Sequence, residues 1–134
     1  MVEIRVSIPV ELDDQFFEDV IVTTFEGGSN YWVETAEVVH PTEQRARGVA
    51  LSIWAAAALN AGGSVVIGFE DEKKTLTQAM LVKGVELWVK NHPQAVTFFM
   101  EHRSGKRKIE TCNVDAGDAD AILQYALFGQ LVYG

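Results

Sequence analysis

The chain of 134 residues contains one cysteine, three prolines and three histidines. A lone Cys112 excludes an internal disulfide and points to a reducing compartment. His40, His92 and His102 stand far apart in sequence, and no His-x-x-x-His or Cys-x-x-Cys pair supplies transition-metal spacing. No apolar run approaches the roughly 18 residues of a membrane span. The stretch from Met1 to Val10 has no basic segment leading into a continuous apolar core, so neither a membrane anchor nor a secretion signal is expected. Phosphate-cradling loops of the Gly-x-Gly-x-x-Gly or Gly-x-x-x-x-Gly-Lys type are missing, as is the Gly-x-Ser-x-Gly context of a serine nucleophile. Basic residues are also scarce. Nineteen acids face eleven bases, giving a formal charge of −8. The imbalance falls in residues 1–44, where ten acids accompany a single base, Arg5. Such an acidic third disfavours non-specific contact with DNA or anionic lipid, so direct DNA binding is not expected.

What is present is an ordinary globular composition, 48% apolar, in a length that suits one domain spanning 1–134. Val2, Ile4, Val6, Ile8 and Val10 alternate with other residues, the period of a half-buried strand that Pro9 ends or confines to a sheet edge. Asp13 or Asp14 is placed to cap a helix over 13–26, with Phe16, Phe17, Val20 and Ile21 on one face and Gly27-Gly28 as the stop. Tyr31 to Val39 has strand composition, and 42–48 reads as a loop. Residues 49–58 and 64–69 flank the turn residues Asn60-Ala61-Gly62-Gly63 and predict a hairpin, although four alanines at 55–58 equally favour a helix. Thr75-Leu76-Thr77-Gln78 starts a helix over 76–91. A short helix over 93–102, a strand over 109–113 and a closing helix over 118–131 complete the expectation. Strands early and helices late predict an α+β fold, with a mostly antiparallel sheet of four or five strands and three or four helices packed mainly on one face.

Four features carry candidate chemistry. In the segment from Glu26 to Trp32, paired glycines permit close backbone approach, Asn30 can read an amide or base edge, and one of Tyr31 and Trp32 can stack on a planar ligand while the other fills the core. In the loop, Arg45 and Arg47 can grip a phosphate or simply face solvent. Asp115, Asp118 and Asp120 either cap the closing helix or hold a hard cation through Asp118 and Asp120, the arrangement of a metal-dependent hydrolase. Gln124 falls among apolar residues and needs a partner if buried. The acids Asp13, Asp14, Glu18 and Asp19 along the first helix leave open an acidic nucleic-acid mimic or a protein-binding face. The basic cluster Arg103, Lys106, Arg107 and Lys108 beside Ser104-Gly105 reads as a solvated turn, and Cys112 as an inert thiol.

Two of these stretches, Glu26–Trp32 and the terminal segment Asp118–Gly134, preceded by a strand ending in Ile8-Pro9-Val10, resemble a group of small uncharacterised proteins encoded by bacteriophages, prophages and plasmids. The resemblance covers both ends of the chain and not the middle, about 40–74. It implies a mobile-element protein in the cytoplasm of a bacterial host, and carries no catalytic residues with it. The combined expectation is a non-enzymatic binding protein that interferes with a host defence system and needs no cofactor. It would sequester a nucleotide-like ligand through Asn30, Tyr31, Trp32, Arg45, Arg47 and Gln124, or dock on a host protein. An open sheet edge would favour a homo-oligomer.

Overall fold

A computed structural model describes residues 1–5, 9–93, 98–100, 107–109 and 114–134, with 98–100 and 107–109 described by backbone alone. In chain order the elements are β1 (Val10–Glu11), α1 (Asp14–Thr23), a π-helical turn (Thr24–Gly28), β2 (Thr35–Val39), α2 (Leu51–Asn60), β3 (Ser64–Phe69), β4 (Glu72–Leu76), α3 (Gln78–Asn91), β5 (Phe98–Met100), β6 (Arg107–Ile109) and α4 (Ala116–Phe128). The α+β class is as expected, but the sheet is divided. An antiparallel sheet has the order β2-β3-β4, and a smaller one has the order β1-β6-β5, in which β1 runs parallel to β6. No helix among the described residues is long and apolar enough to cross a membrane.

The helices start where side chains can satisfy their first N–H groups. Asp13 accepts from the Phe16 N–H at 2.9 Å, Thr77 from Met80, and Asp115 and Asp118 cap each other reciprocally at the head of α4. Each such cap contributes about 1 kcal/mol. Gly129, at φ 71°, ends α4 in the left-handed conformation that glycine adopts without penalty. The buried faces of α1 (Phe16, Phe17, Val20, Ile21), α3 (Leu81, Val85, Trp88) and α4 (Ile122, Leu123, Leu127) join Val65, Ile67, Phe69 and Leu76 from the sheet in one core. Burying a side chain of this size stabilises by roughly 1.5–3 kcal/mol. The register sets Ala36 beside Ile67, and Val65 between Val38 and Leu76, on the covered face. On the opposite face Glu37, Val39, Lys73 and Thr75 are exposed.

Several expectations need correction. Among the described residues, the alternating segment at the start pairs only at Val10–Glu11. Val2 and Ile4 are exposed, because a period of two defines a face only where a sheet receives it, and residues 6–8 lie outside the described ones. The strand expected from Tyr31 begins at Thr35, since Ser29–Trp32 form a turn closed by Trp32 and Val33 N–H groups donating to the Ser29 carbonyl. Residues 51–60 are helical, as the alanine run favours, so Gly62-Gly63 links helix to strand instead of closing a hairpin. The hairpin lies further on. Glu70 and Asp71, both at positive φ, turn β3 into an unexpected β4. Residues 98–100 are extended and not helical, and β6 ends at Ile109. The remainder of the 93–102 and 109–113 expectations, with His102, Arg103, Lys106 and Cys112, lies outside the described residues.

Candidate functional site

The corner after α1 and the closing helix meet around one carboxylate. Asp120 is 7% exposed and accepts four hydrogen bonds. Its Oδ1 receives Ser29 Oγ and Trp32 Nε1, each at 2.7 Å. Its Oδ2 receives the Tyr31 hydroxyl at 2.5 Å and Gln124 Nε2 at 2.9 Å. Gln124 is fully used in turn. Its Oε1 accepts the N–H groups of Val132 and Tyr133, both at 2.8 Å, while Nε2 also lies 3.2 Å from the Tyr133 carbonyl. Tyr133 stacks on Trp32 with ring centres 5.0 Å apart and planes 8° from parallel. Close approach is possible because residue 28 is glycine, where a Cβ would stand 2.8 Å from the Ala116 carbonyl oxygen. Burying a carboxyl group is unfavourable unless its lone pairs are satisfied, and here four donors meet them.

The structure therefore brings Tyr31, Trp32 and Gln124 together, with Ser29 and Asp120 as the members that sequence reading had not assigned to them. Trp32 and Gln124 are buried in this network, whereas the Tyr31 ring is 58% exposed with its hydroxyl fixed inward. Asn30 is exposed and lines a neighbouring groove. Arg45 and Arg47 are exposed in the loop before α2, where Arg45 Nε donates to the Val49 carbonyl at 2.8 Å. The signal for the network was present in sequence: Asp120 and Gln124 are polar positions one turn apart on an otherwise apolar helix.

Asp118 and Asp120 are engaged by different partners. Two residues apart on a helix, they face different sides. Asp118 accepts from the Asp115 N–H while its own N–H donates to Asp115 Oδ1 at 2.8 Å. Burial, with repulsion from Asp115, holds the Asp118 carboxyl above its ordinary pKa. Among the described residues no three His, Cys, Asp or Glu side chains are grouped to hold a metal ion.

The groove lies beside the network and has a volume of about 290 Å³. Phe25, Val33, Ala36 and Leu51 provide its apolar surface, with Glu26, Asn30, Glu34 and Ser52 as polar members. Its far wall is the head of α2, where the capping position is Ala50 and no side-chain cap forms. Glu26 takes over that role electrostatically, accepting from Ser52 Oγ at 2.8 Å and setting a negative charge at the positive end of the helix. A second depression of about 330 Å³ is lined by Val10, Leu12, Asp14, Phe17, Gln78 and Val82.

Burial, and then the hydrogen bond to Asp120, push the Tyr31 phenol from 10 up to about 12. Because the folded state holds this proton more tightly, the associated stability is complete below pH 10 and is lost as pH rises through about 12. An alkaline titration followed by tyrosinate absorbance should show a phenol ionising near pH 12 that is absent from Tyr31→Phe. An alkaline titration unchanged by Tyr31→Phe near pH 12 would contradict the network.

Comparison of the chain with family profiles, with curated proteins and with solved structures gives no match in any of the three.

Proposed function

We propose that the chain is a non-enzymatic binding protein of a bacterial mobile element that acts in the host cytoplasm by docking on a host defence protein. The observation that carries this reading is the groove between the 25–36 corner and the head of α2: an apolar floor beside an outer strand, with Glu26 and Glu34 exposed at its rim. An apolar centre within a polar, solvent-accessible rim is the usual anatomy of a protein recognition surface. The adjacent corner supports it as scaffold, since Ser29, Trp32 and Gln124 have their hydrogen-bonding capacity committed to Asp120 and the chain terminus.

Leu51 is 37% exposed at the groove, so Leu51→Arg should fold normally and block docking. Protein recovered from bacterial extract on the wild-type chain should be reduced about tenfold on the variant, equivalent to roughly 1.4 kcal/mol. Identical recovery by two equally stable chains would dismiss the groove as the docking surface.

A second reading is favoured by the exposed Tyr31 ring, which its hydroxyl bond holds as a fixed stacking platform next to Asn30. In that reading a nucleotide-like ligand stacks on Tyr31, and Arg45 or Arg47 meets its phosphate. Ligand released on denaturing protein purified from its host would support it, provided that Tyr31→Ala releases none. Equal release from both chains would exclude it.

A further inference from the structure

We infer that the groove receives an extended, positively charged polypeptide segment whose backbone pairs with the open edge of β2. This inference rests on the docking reading and specifies its partner. β2 is bonded on one side to β3, and among the described residues no backbone hydrogen bond reaches its other side. An unpaired edge is a template for one more strand, and backbone pairing supplies affinity there while alternate side chains supply specificity. The groove borders this strand at Thr35 and Ala36, so a segment laid along β2 would send every second side chain toward Phe25, Val33 and Leu51. The other outer strand, β4, carries Lys73 and Lys74, whose charge disfavours a basic segment there.

Charge selects the occupant. Glu26 and Glu34 line the groove, and Glu37 follows on the same strand, all three exposed. By register the nearest base on the sheet is Lys73, two strands away from Thr35. The Arg45 side chain is turned to the Val49 carbonyl. Two copies joined through β2 would gather Glu34 and Glu37 of both chains, each of net charge −8, along one seam, which opposes self-pairing. A segment alternating apolar and basic residues satisfies the edge, the floor and the charge together.

The test uses the full chain and a labelled short peptide alternating Val and Lys, with two controls: Glu replacing Lys, and the Val–Lys peptide N-methylated at alternate backbone positions. At physiological salt the Val–Lys peptide should bind, and each control should bind about tenfold more weakly or worse. Backbone amides of 34–38 should shift in the NMR spectrum and exchange more slowly. A Glu34→Lys/Glu37→Lys chain should prefer the Glu peptide. Equal binding of the N-methylated peptide, shifts confined to other surfaces, or a dimer that buries β2 in sedimentation and cross-linking would overturn the inference. The two readings fail separately. Extract partners indifferent to Leu51→Arg remove the docking reading even if the peptide pairs with β2. Partners that depend on Leu51, with a peptide insensitive to N-methylation, leave docking in place and remove strand addition.

Discussion

Asp120→Ala should lower the stability of the chain by about 3–5 kcal/mol, the usual loss when one member of a buried, satisfied charge network is removed. The loss does not come from the carboxylate's own burial, which is unfavourable. It comes from Ser29 Oγ, the Tyr31 hydroxyl, Trp32 Nε1 and Gln124 Nε2, which lose their common acceptor. Ser29 and Gln124 are almost wholly inaccessible, so water cannot simply replace it. Against a typical total of 5–15 kcal/mol this is a large fraction. A calorimetric scan should show the midpoint falling by roughly 10–20 °C. Asp120→Asn keeps one acceptor oxygen but turns an amide toward other donors, so it should fall between the two. A variant as stable as the wild type would mean that the four contacts do not operate in solution.

The second large effect is expected at Gly84, on the face of α3 that packs against α4. A Cβ there would stand 2.5 Å from the Ile122 carbonyl oxygen and 3.0 Å from both the nitrogen and the Cβ of Ala126. In an exposed helix, replacing glycine by alanine gains about 1 kcal/mol. Here the two helices must separate, and overpacking of this kind costs about 1–3 kcal/mol, occasionally more. Since the obstruction is mostly backbone, it cannot be relieved by rotating a side chain, and the upper part of that range applies. Gly84→Ala should therefore destabilise by about 2 kcal/mol net, opposite in sign to helix propensity. Denaturant unfolding with an unchanged slope and a lower midpoint would show it. A more stable Gly84→Ala chain would show that α3 and α4 do not approach this closely.

The two substitutions also mark what local sequence could and could not reveal. Helix starts were legible to within a few residues where caps are local: Asp13, one of two candidates, caps α1; the cap of α3 is Thr77, two residues beyond the Thr75 that a Thr75–Gln78 capping box implies; and Asp115 heads α4 at Ala116, ahead of the expected start at 118. β4 was not, because Glu72-Lys73-Lys74-Thr75 lies at an outer strand with its side chains exposed, and so carries no apolar alternation. The turn before it uses Glu70 and Asp71 at positive φ in place of the usual Asn-Gly, which removes the strongest hairpin signal. Val2 and Ile4 show the reverse error, alternation without a receiving sheet. At the site, a glutamine among apolar residues correctly implied a buried partner for Gln124. That the partner is Asp120, and that Ser29 and Trp32 share it from about ninety positions away, depends on tertiary packing. The groove was harder still, since Phe25, Val33 and Leu51 come from three separate parts of the chain and none is distinctive alone.

The account turns on one carboxylate holding the corner at 29–32 against α4, which fixes the inner wall of the groove. A double-mutant cycle between Ser29→Ala and Asp120→Ala, read by denaturant unfolding, tests this most directly. In the wild-type background, Ser29→Ala should cost about 1.5–3 kcal/mol, the range for a hydrogen bond to a charged group. With Asp120 already replaced, the same change should be neutral or stabilising, because it removes a buried hydroxyl that has lost its acceptor. If Asp120→Ala does not fold, Asp120→Asn serves in its place, with the same direction and a smaller difference. Equal costs in both backgrounds, additive within about 0.5 kcal/mol, would contradict the account.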